Sequence, residues 1–458
     1  MPRIKHESLI VAMLTLTILA VYWQALSGAF QFDDYNVIVD YSKVHSLSSW
    51  LSDSLHGLRP LLKLTYTLNW LMPVGNSRET GFHLLNLLIH LGCAYLIYRL
   101  VLRMPLPGTI NKQATAILSS LLFVLHPANT EAVTYISGRS SSLMTLFFLA
   151  SLLAYVYGLQ EDKRNWQSGW SGLFFLLSLL VKETAILLPF TLLLWELCFG
   201  KVWSVRGLVK KQWVHWCLVL LAVIAFLLSG RHWHLMMDSA STHNLSTNLY
   251  SQINAVSYLV SQYLWPLHLN IDPDLPVLTT YSAVWKEIFG LMLVTLLAIF
   301  SLKKMPWLSF AIFWFILLLL PLYIFLPRLD IANDRQLYLA GWPLLVVIAM
   351  WVSNIGKQFY LKLGLVLLLI ASLGTISILR NQDYQSEIAL WQSAIKESPN
   401  KSRVYNNLGF AYDQAGEKEA AKQAYEKAIA LDSGNWLARN NLQKLTDLPL
   451  DEPVQTGK

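Results

Sequence analysis

Long apolar runs broken by short polar stretches fill the chain up to about residue 380 and predict a series of membrane-crossing helices. Runs of this kind fall near 8–26, 82–102, 113–126, 140–158, 169–181, 184–199, 213–229, 284–302, 307–326, 338–355 and 361–379, eleven candidate spans in all. The pair 169–181 and 184–199 is short of the roughly 20 residues a spanning helix takes, and only "VKET" separates the two. Merging them would put "KVWSVRGLVKKQW" (Lys201, Arg206, Lys210, Lys211) on the same side as residues 232–285, which hold no Lys or Arg. The tendency of basic loops to stay in the cytoplasm therefore predicts two short helices meeting at Lys182 and Glu183.

On that layout Arg3/Lys5, Arg103/Lys112, Lys163/Arg164, the 201–211 cluster, Lys303/Lys304 and Lys357/Lys362 are all cytoplasmic. The N-terminus is inside, and its first apolar run, without a small-x-small cleavage site, reads as a retained signal anchor. Loops 27–81, 126–139, 230–283 and 327–337, with everything after residue 380, then face the periplasm or a lumen. Residues 230–283, containing "NLSTNLYSQINAVSYLVSQYLWPLHLN", are expected to form amphipathic helices on that outer surface, covering a lipid entrance.

The pattern changes at Arg380. Residues 380–458 carry 10 Lys/Arg and 11 Asp/Glu among Ala, Leu and Tyr at helical spacing. Tyr405, Leu408, Gly409, Tyr412, Ala421, Tyr425 and Ala428 fit one 34-residue tetratricopeptide repeat. Trp391, Ala394 and Pro399 fit the second half of a preceding one. This predicts a membrane domain over 1–380 and a periplasmic or lumenal module over 381–458. One and a half repeats bury little surface alone, so the module is expected to lean on the membrane domain or on a partner.

Composition agrees: 55% of the 458 residues are hydrophobic and only 14% charged, against roughly 25% charged in soluble domains. The chain is thus expected to be an all-α polytopic membrane protein. The net charge of +7 lies mostly in short inter-helix loops, where orientation explains it better than nucleic-acid binding. Cys93, Cys198 and Cys217 lie in apolar segments as packing residues, with neither disulfide nor metal-ligand spacing.

Candidate chemistry gathers at the outer ends of the spans. "FQFDDYNVIV" sets Asp33 and Asp34 just beyond the first span. Burial there raises a carboxyl's pKa, and adjacent acids can divide the work of base and supporting group; the alternative is an interfacial capping turn. Arg139, in "GRSSS", combines a guanidinium with a helix start, a pairing suited to phosphate. Lys182 and Arg335 add positive charge, or snorkel to headgroups. Arg59 precedes the next apolar run in "RPLLKL", Glu131 and Glu183 are candidate ion-pair partners for the cations, and His126, before Pro127, shapes its loop. His83 and His90 read as helix-packing residues. No His/Asp/Glu spacing amounts to a metal site.

Taken in order, the acid pair, "RPL", "HP…TEAV…GR", "KETA…LP", "R…YL" and the repeat tail resemble the transmembrane and tetratricopeptide-repeat O-mannosyltransferases and their bacterial relatives. The resemblance covers nearly the whole chain. These enzymes belong to the C superfold of glycosyltransferases, with the protein O-mannosyltransferases and the lipid A aminoarabinose transferase. It implies Asp33 as the catalytic acid with Asp34 beside it, Arg139 on the lipid phosphate, and Lys182 and Arg335 assisting. Arg59, His126, Glu131 and Glu183 would support them. The implied donor is a sugar on a polyprenyl phosphate, a substrate rather than a cofactor, and the acceptor is a protein or glycan hydroxyl, reached with inversion and without an evident metal. The tail is much shorter than in the animal members, which bears on the acceptor and on any partner bound through the repeat.

Two other classes use similar parts. A transporter or flippase predicts internal repeats and mid-bilayer charges, neither of which the chain shows. A glycan ligase or polymerase on lipid carriers shares the chemistry. The brief tail and lack of a retention signal favour a bacterial inner membrane; in a eukaryotic host the setting would be the ER, with "NLS" at 244 and "NKS" at 400 as outer-side glycosylation acceptors.

Overall fold

A computed structural model describes residues 2–54, 57–75, 77–163, 165–200, 204–228, 244–320, 330–355 and 358–446. Arg164, Lys201, Lys357, residues 230–243 and the end of the expected 307–326 span lie outside that set. All regular structure in the described residues is helical, with no strand.

Each of the eleven apolar runs contains a helix, but not each is a full crossing. Five helices are long and apolar enough to span: His6–Ser27, Arg78–Arg103, Ile136–Gln160, Gly207–Leu228 and Phe359–Asp383. Two bent pairs bring the number to seven if each is one span. The chain is an integral membrane protein by these helices, and the expected count of eleven is not reached by length and apolarity among the described residues.

The bends have chemical causes. Lys112–Leu125 and Pro127–Val133 meet at 58°, where His126, as the residue before a proline, is held extended (φ −73°, ψ 120°). Asp334–Ala340 and Trp342–Asn354 meet at 62°. Pro343 has no N–H for the carbonyl of Leu339, and that carbonyl instead accepts the Trp314 indole N–H at 3.0 Å. Gly341 lies at this corner because the Tyr263 ring packs onto it; a Cβ there would come within 2.1 Å of the ring.

The run 169–199 is broken into Ser171–Leu179 and Leu188–Phe199. Lys182 is extended, and the freed Leu180 carbonyl accepts the Leu61 amide at 3.2 Å. The amphipathic helix expected in the outer segment is Leu245–Leu264, capped by Asn244, whose side chain accepts the Thr247 amide at 2.8 Å.

The repeat is formed as its spacing predicts: Ser402–Gln414 and Lys418–Leu431 pair, with Ala421, Tyr425 and Ala428 fully buried between them. Its apolar core is not self-contained. Leu390, Trp391, Ala394, Val404 and Leu408 pack in one cluster with Tyr135, Ile271 and Phe32 from the loops of the membrane domain. Asp272, in the segment after helix Leu245–Leu264, binds Lys401 at 2.6 Å and the Arg403 guanidinium, and Arg403 also bonds Asp330. The module leans on the membrane domain, as one and a half repeats require.

Candidate functional site

Asp33 and Asp34 leave the backbone in different directions and meet different surroundings. Asp34 is buried and fully engaged. One carboxylate oxygen accepts the Gln31 amide at 3.0 Å, and the other accepts the Ser137 amide at 2.8 Å and the Ser137 hydroxyl. Burial pushes this carboxyl up to about 7 against the opposing pull of those donors. It thereby ties the first outer loop to the turn that precedes Arg139.

Asp33 is only half-buried, and its amide donates to the Tyr135 hydroxyl at 3.0 Å. Burial lifts its carboxyl above the usual range, with the Arg335 charge and the Tyr135 hydroxyl working the other way. Of the two acids, Asp33 is the less buried and the one on which the Arg335 charge acts.

Arg335, whose charge acts on Asp33, also lines a small cavity. The guanidinium lies 5.9 Å from the Tyr135 ring and 3.4 Å from Glu131, while its backbone amide donates to Glu131 at 3.2 Å. Lys182 enters the same cavity, donating to the Ser141 hydroxyl at 2.8 Å. Gln336 Nε2 and the hydroxyls of Thr145 and Thr184 are buried at this lining with no hydrogen-bond partner among the described residues. Two cations and an unpaired amide donor around one small cavity form an electropositive pocket suited to an anion.

Arg139 is placed elsewhere. It is fully buried, with Nε donating to Asn86 at 2.6 Å, Nη1 to Thr65 at 3.2 Å and Nη2 to the Phe82 carbonyl at 2.9 Å, between the rings of Tyr66 and Phe82. Gly138 before it is needed for close approach, since a Cβ would come within 2.1 Å of the Glu131 carbonyl. Arg139 thus braces three helices, whereas the cations lining the cavity are Lys182 and Arg335.

The other expected residues divide in the same way. Glu131 pairs with Arg335, but Glu183 forms a two-point ion pair with Arg59, both bonds at 2.9 Å, instead of joining Lys182. Arg59 itself adopts φ 57° to make that reach before Pro60 opens its helix. His126 accepts the Ala128 amide and donates to the Tyr263 carbonyl at 3.0 Å while stacked on that ring, a loop-shaping role. His83 and His90 bond the Gly28 carbonyl and the Tyr338 hydroxyl inside the bundle. Among the described residues no three His, Cys, Asp or Glu side chains are grouped to hold a metal.

Sequence reasoning did not single out Tyr135, Ser137, Ser141, Gln336 or Glu387. Ser141 and Gln336 sit in the quoted stretches "GRSSS" and "NDRQLY", but only the fold shows which neighbours of a charged residue share its cavity.

Fold and site together define a helical integral membrane protein in which a tetratricopeptide module covers an acid-bearing loop beside an electropositive cavity. The tetratricopeptide repeat family matches residues 402–435. Homologues over most of the chain are protein O-mannosyl-transferases of the TMTC type. Human Protein O-mannosyl-transferase TMTC3 is 26% identical across 96% of this chain and 53% of its own length. The Caenorhabditis elegans Protein O-mannosyl-transferase F38B6.6 is 24% identical, covering 92% and 62%, and mouse Protein O-mannosyl-transferase TMTC4 is 25% identical, covering 89% and 64%. The chain therefore spans between half and two thirds of these relatives. No solved structure matches it significantly.

Proposed function

We propose that the protein is an integral-membrane glycosyltransferase that moves a sugar, mannose by the names of its relatives, from a polyprenyl-phosphate donor to a protein hydroxyl. The observation that carries this reading is the half-open Asp33 carboxyl beside Arg335, which also lines the Lys182 cavity. The donor phosphate sits in that cavity, held by Lys182 and Arg335, with Gln336 supplying a further donor. The acceptor hydroxyl approaches from the side of the helical module.

In the transfer, the acceptor oxygen attacks the anomeric carbon as its proton passes to Asp33. The bond from that carbon to the phosphate oxygen breaks, and polyprenyl phosphate departs with the electron pair. Attack opposite the leaving group inverts the anomeric centre. Lys182 and Arg335 stabilise the charge that grows on the phosphate, as fixed cations aimed at developing charge do. The raised Asp33 carboxyl is a stronger base than an ordinary carboxylate. Arg139, which we expected on the phosphate, instead braces the helices that carry the site.

This reading places the site on the outer side of the membrane, with the N-terminus inside and residues 1–380 and 381–458 as membrane domain and periplasmic module of a bacterial inner-membrane protein. The test is transfer from synthetic polyprenyl-phosphate mannose to a peptide containing Ser and Thr, using purified full-length chain. Asp33→Asn should slow transfer by the roughly 10²–10⁴-fold that a general base supplies, at unchanged melting temperature. Normal turnover by a folded Asp33→Asn would refute the assignment.

A further inference from the structure

The loop that carries Asp33 is gripped from the side of the repeat module. Gln31 Nε2 donates to the Tyr384 carbonyl at 2.5 Å. The Phe32 amide donates to Glu387 Oε1 at 3.2 Å, and the same oxygen accepts the Trp391 indole N–H at 3.4 Å. The Phe32 ring packs edge-to-face on Trp391, with centroids 5.1 Å apart. One carboxylate oxygen and one indole thus hold both the backbone and the side chain of Phe32.

What they hold is an unfavourable conformation. Phe32 has φ 49°, in the left-handed region that a bulky residue with a Cβ avoids. A peptide released from such a grip returns to negative φ, and that rotation swings the next residue. Here the next residue is Asp33, whose amide donates to the Tyr135 hydroxyl, itself in the module's apolar cluster, and which lies inside the turn closed by the Asp34 amide on the Gln31 carbonyl.

We propose that Glu387 and Trp391 are positioning residues for Asp33: the first helix of the module holds Phe32 in its left-handed conformation, which aims the Asp33 carboxyl at the acceptor beside Arg335. The inference rests on Asp33 being the base. It gives the repeat module a part in the chemical step, distinct from recruiting any acceptor. Glu387 acts through an acceptor oxygen, which a glutamine also offers, so its charge is dispensable.

The experiment compares Glu387→Ala, Glu387→Gln and Asp33→Asn in the full-length protein, in the same mannose-transfer assay and with melting temperatures measured in parallel. Misaiming a reacting group by about 1 Å costs up to about 10²-fold. Glu387→Ala should therefore lower kcat by about 10–100-fold with the donor KM within about twofold, and Glu387→Gln should restore kcat to within about threefold. If Glu387→Ala does not fold, Glu387→Met fills the same space without an acceptor oxygen and replaces it. A folded Ala or Met variant with wild-type kcat, or an equal loss in Glu387→Gln, overturns the positioning role. In either case an inactive Asp33→Asn leaves the base assignment standing, whereas an active Asp33→Asn removes both.

Discussion

Asp34 accepts the backbone amide of Ser137 at 2.8 Å, joining two loops that lie 103 residues apart in sequence. That bond makes Asp34 the anchor of the acid pair, and in the proposed transfer the reacting carboxyl is its neighbour's. Asp34→Ala would strand the Gln31 and Ser137 amides, each at roughly 1–3 kcal/mol if left buried and unpaired. The expected result is a clear fall in melting temperature, with activity lost largely in step with the folded fraction. A variant that melts like wild type while losing turnover would make Asp34 the reacting acid instead.

The same burial gives a pH signature. The Asp34 carboxyl is near 7 when folded against 3.8 in an open chain. A raised acid stabilises the fold fully below the unfolded value, and that contribution is lost as pH rises from about 4 through about 7. The melting temperature of wild type relative to Asp34→Asn should therefore be most favourable near pH 4 and decline toward pH 8. A difference that stays flat over that interval would show that Asp34 does not titrate there.

Donor binding separates the cations. Lys182→Met removes a charge from the cavity and should raise the donor KM or lower kcat by about 10–100-fold, in line with the roughly 1.5–3 kcal/mol of a bond to a charged group. Arg139→Lys loses the planar fork that reaches Asn86, Thr65 and the Phe82 carbonyl. It should lower the melting temperature and leave the donor KM of the folded protein nearly unchanged. A selective loss of donor affinity in Arg139→Lys would return that residue to the phosphate.

Orientation is open to direct measurement. Reporter fusions at residue 205 should read as cytoplasmic and at residue 420 as external, following the distribution of Lys and Arg. Both reporters on one side would overturn the loop assignment that puts Asp33 and Arg335 on one face.

Much of this was legible in the chain because membrane helices announce themselves by composition and the repeat by its spacing. Asp33, Lys182, Arg335 and Glu131 stand out in the chain since charge beside a bilayer is costly, and the fold brings Lys182 and Arg335 to one cavity with Glu131 paired to Arg335. Pairing was harder to read. Nothing local says that Glu183 binds Arg59, 124 residues away, and not its neighbour Lys182. Arg139 shows the same limit: a guanidinium at a helix start satisfies the pattern of a phosphate site, and only the fold shows that its donors reach Asn86, Thr65 and the Phe82 carbonyl. The breaks at Lys182 and His126 were visible in the charge distribution and in the end of the 113–126 run, whereas the bend at Gly341 cuts into the 338–355 run, which looks continuous in sequence.

Only Tyr384, Gln385 and Ser386 separate the membrane helix Phe359–Asp383 from the next helix, Glu387–Glu397. A connection that short works as a rigid bracket, not a tether. The module has no arm on which to swing, so on the proposed function any acceptor would have to come to the Asp33 loop instead of being carried there.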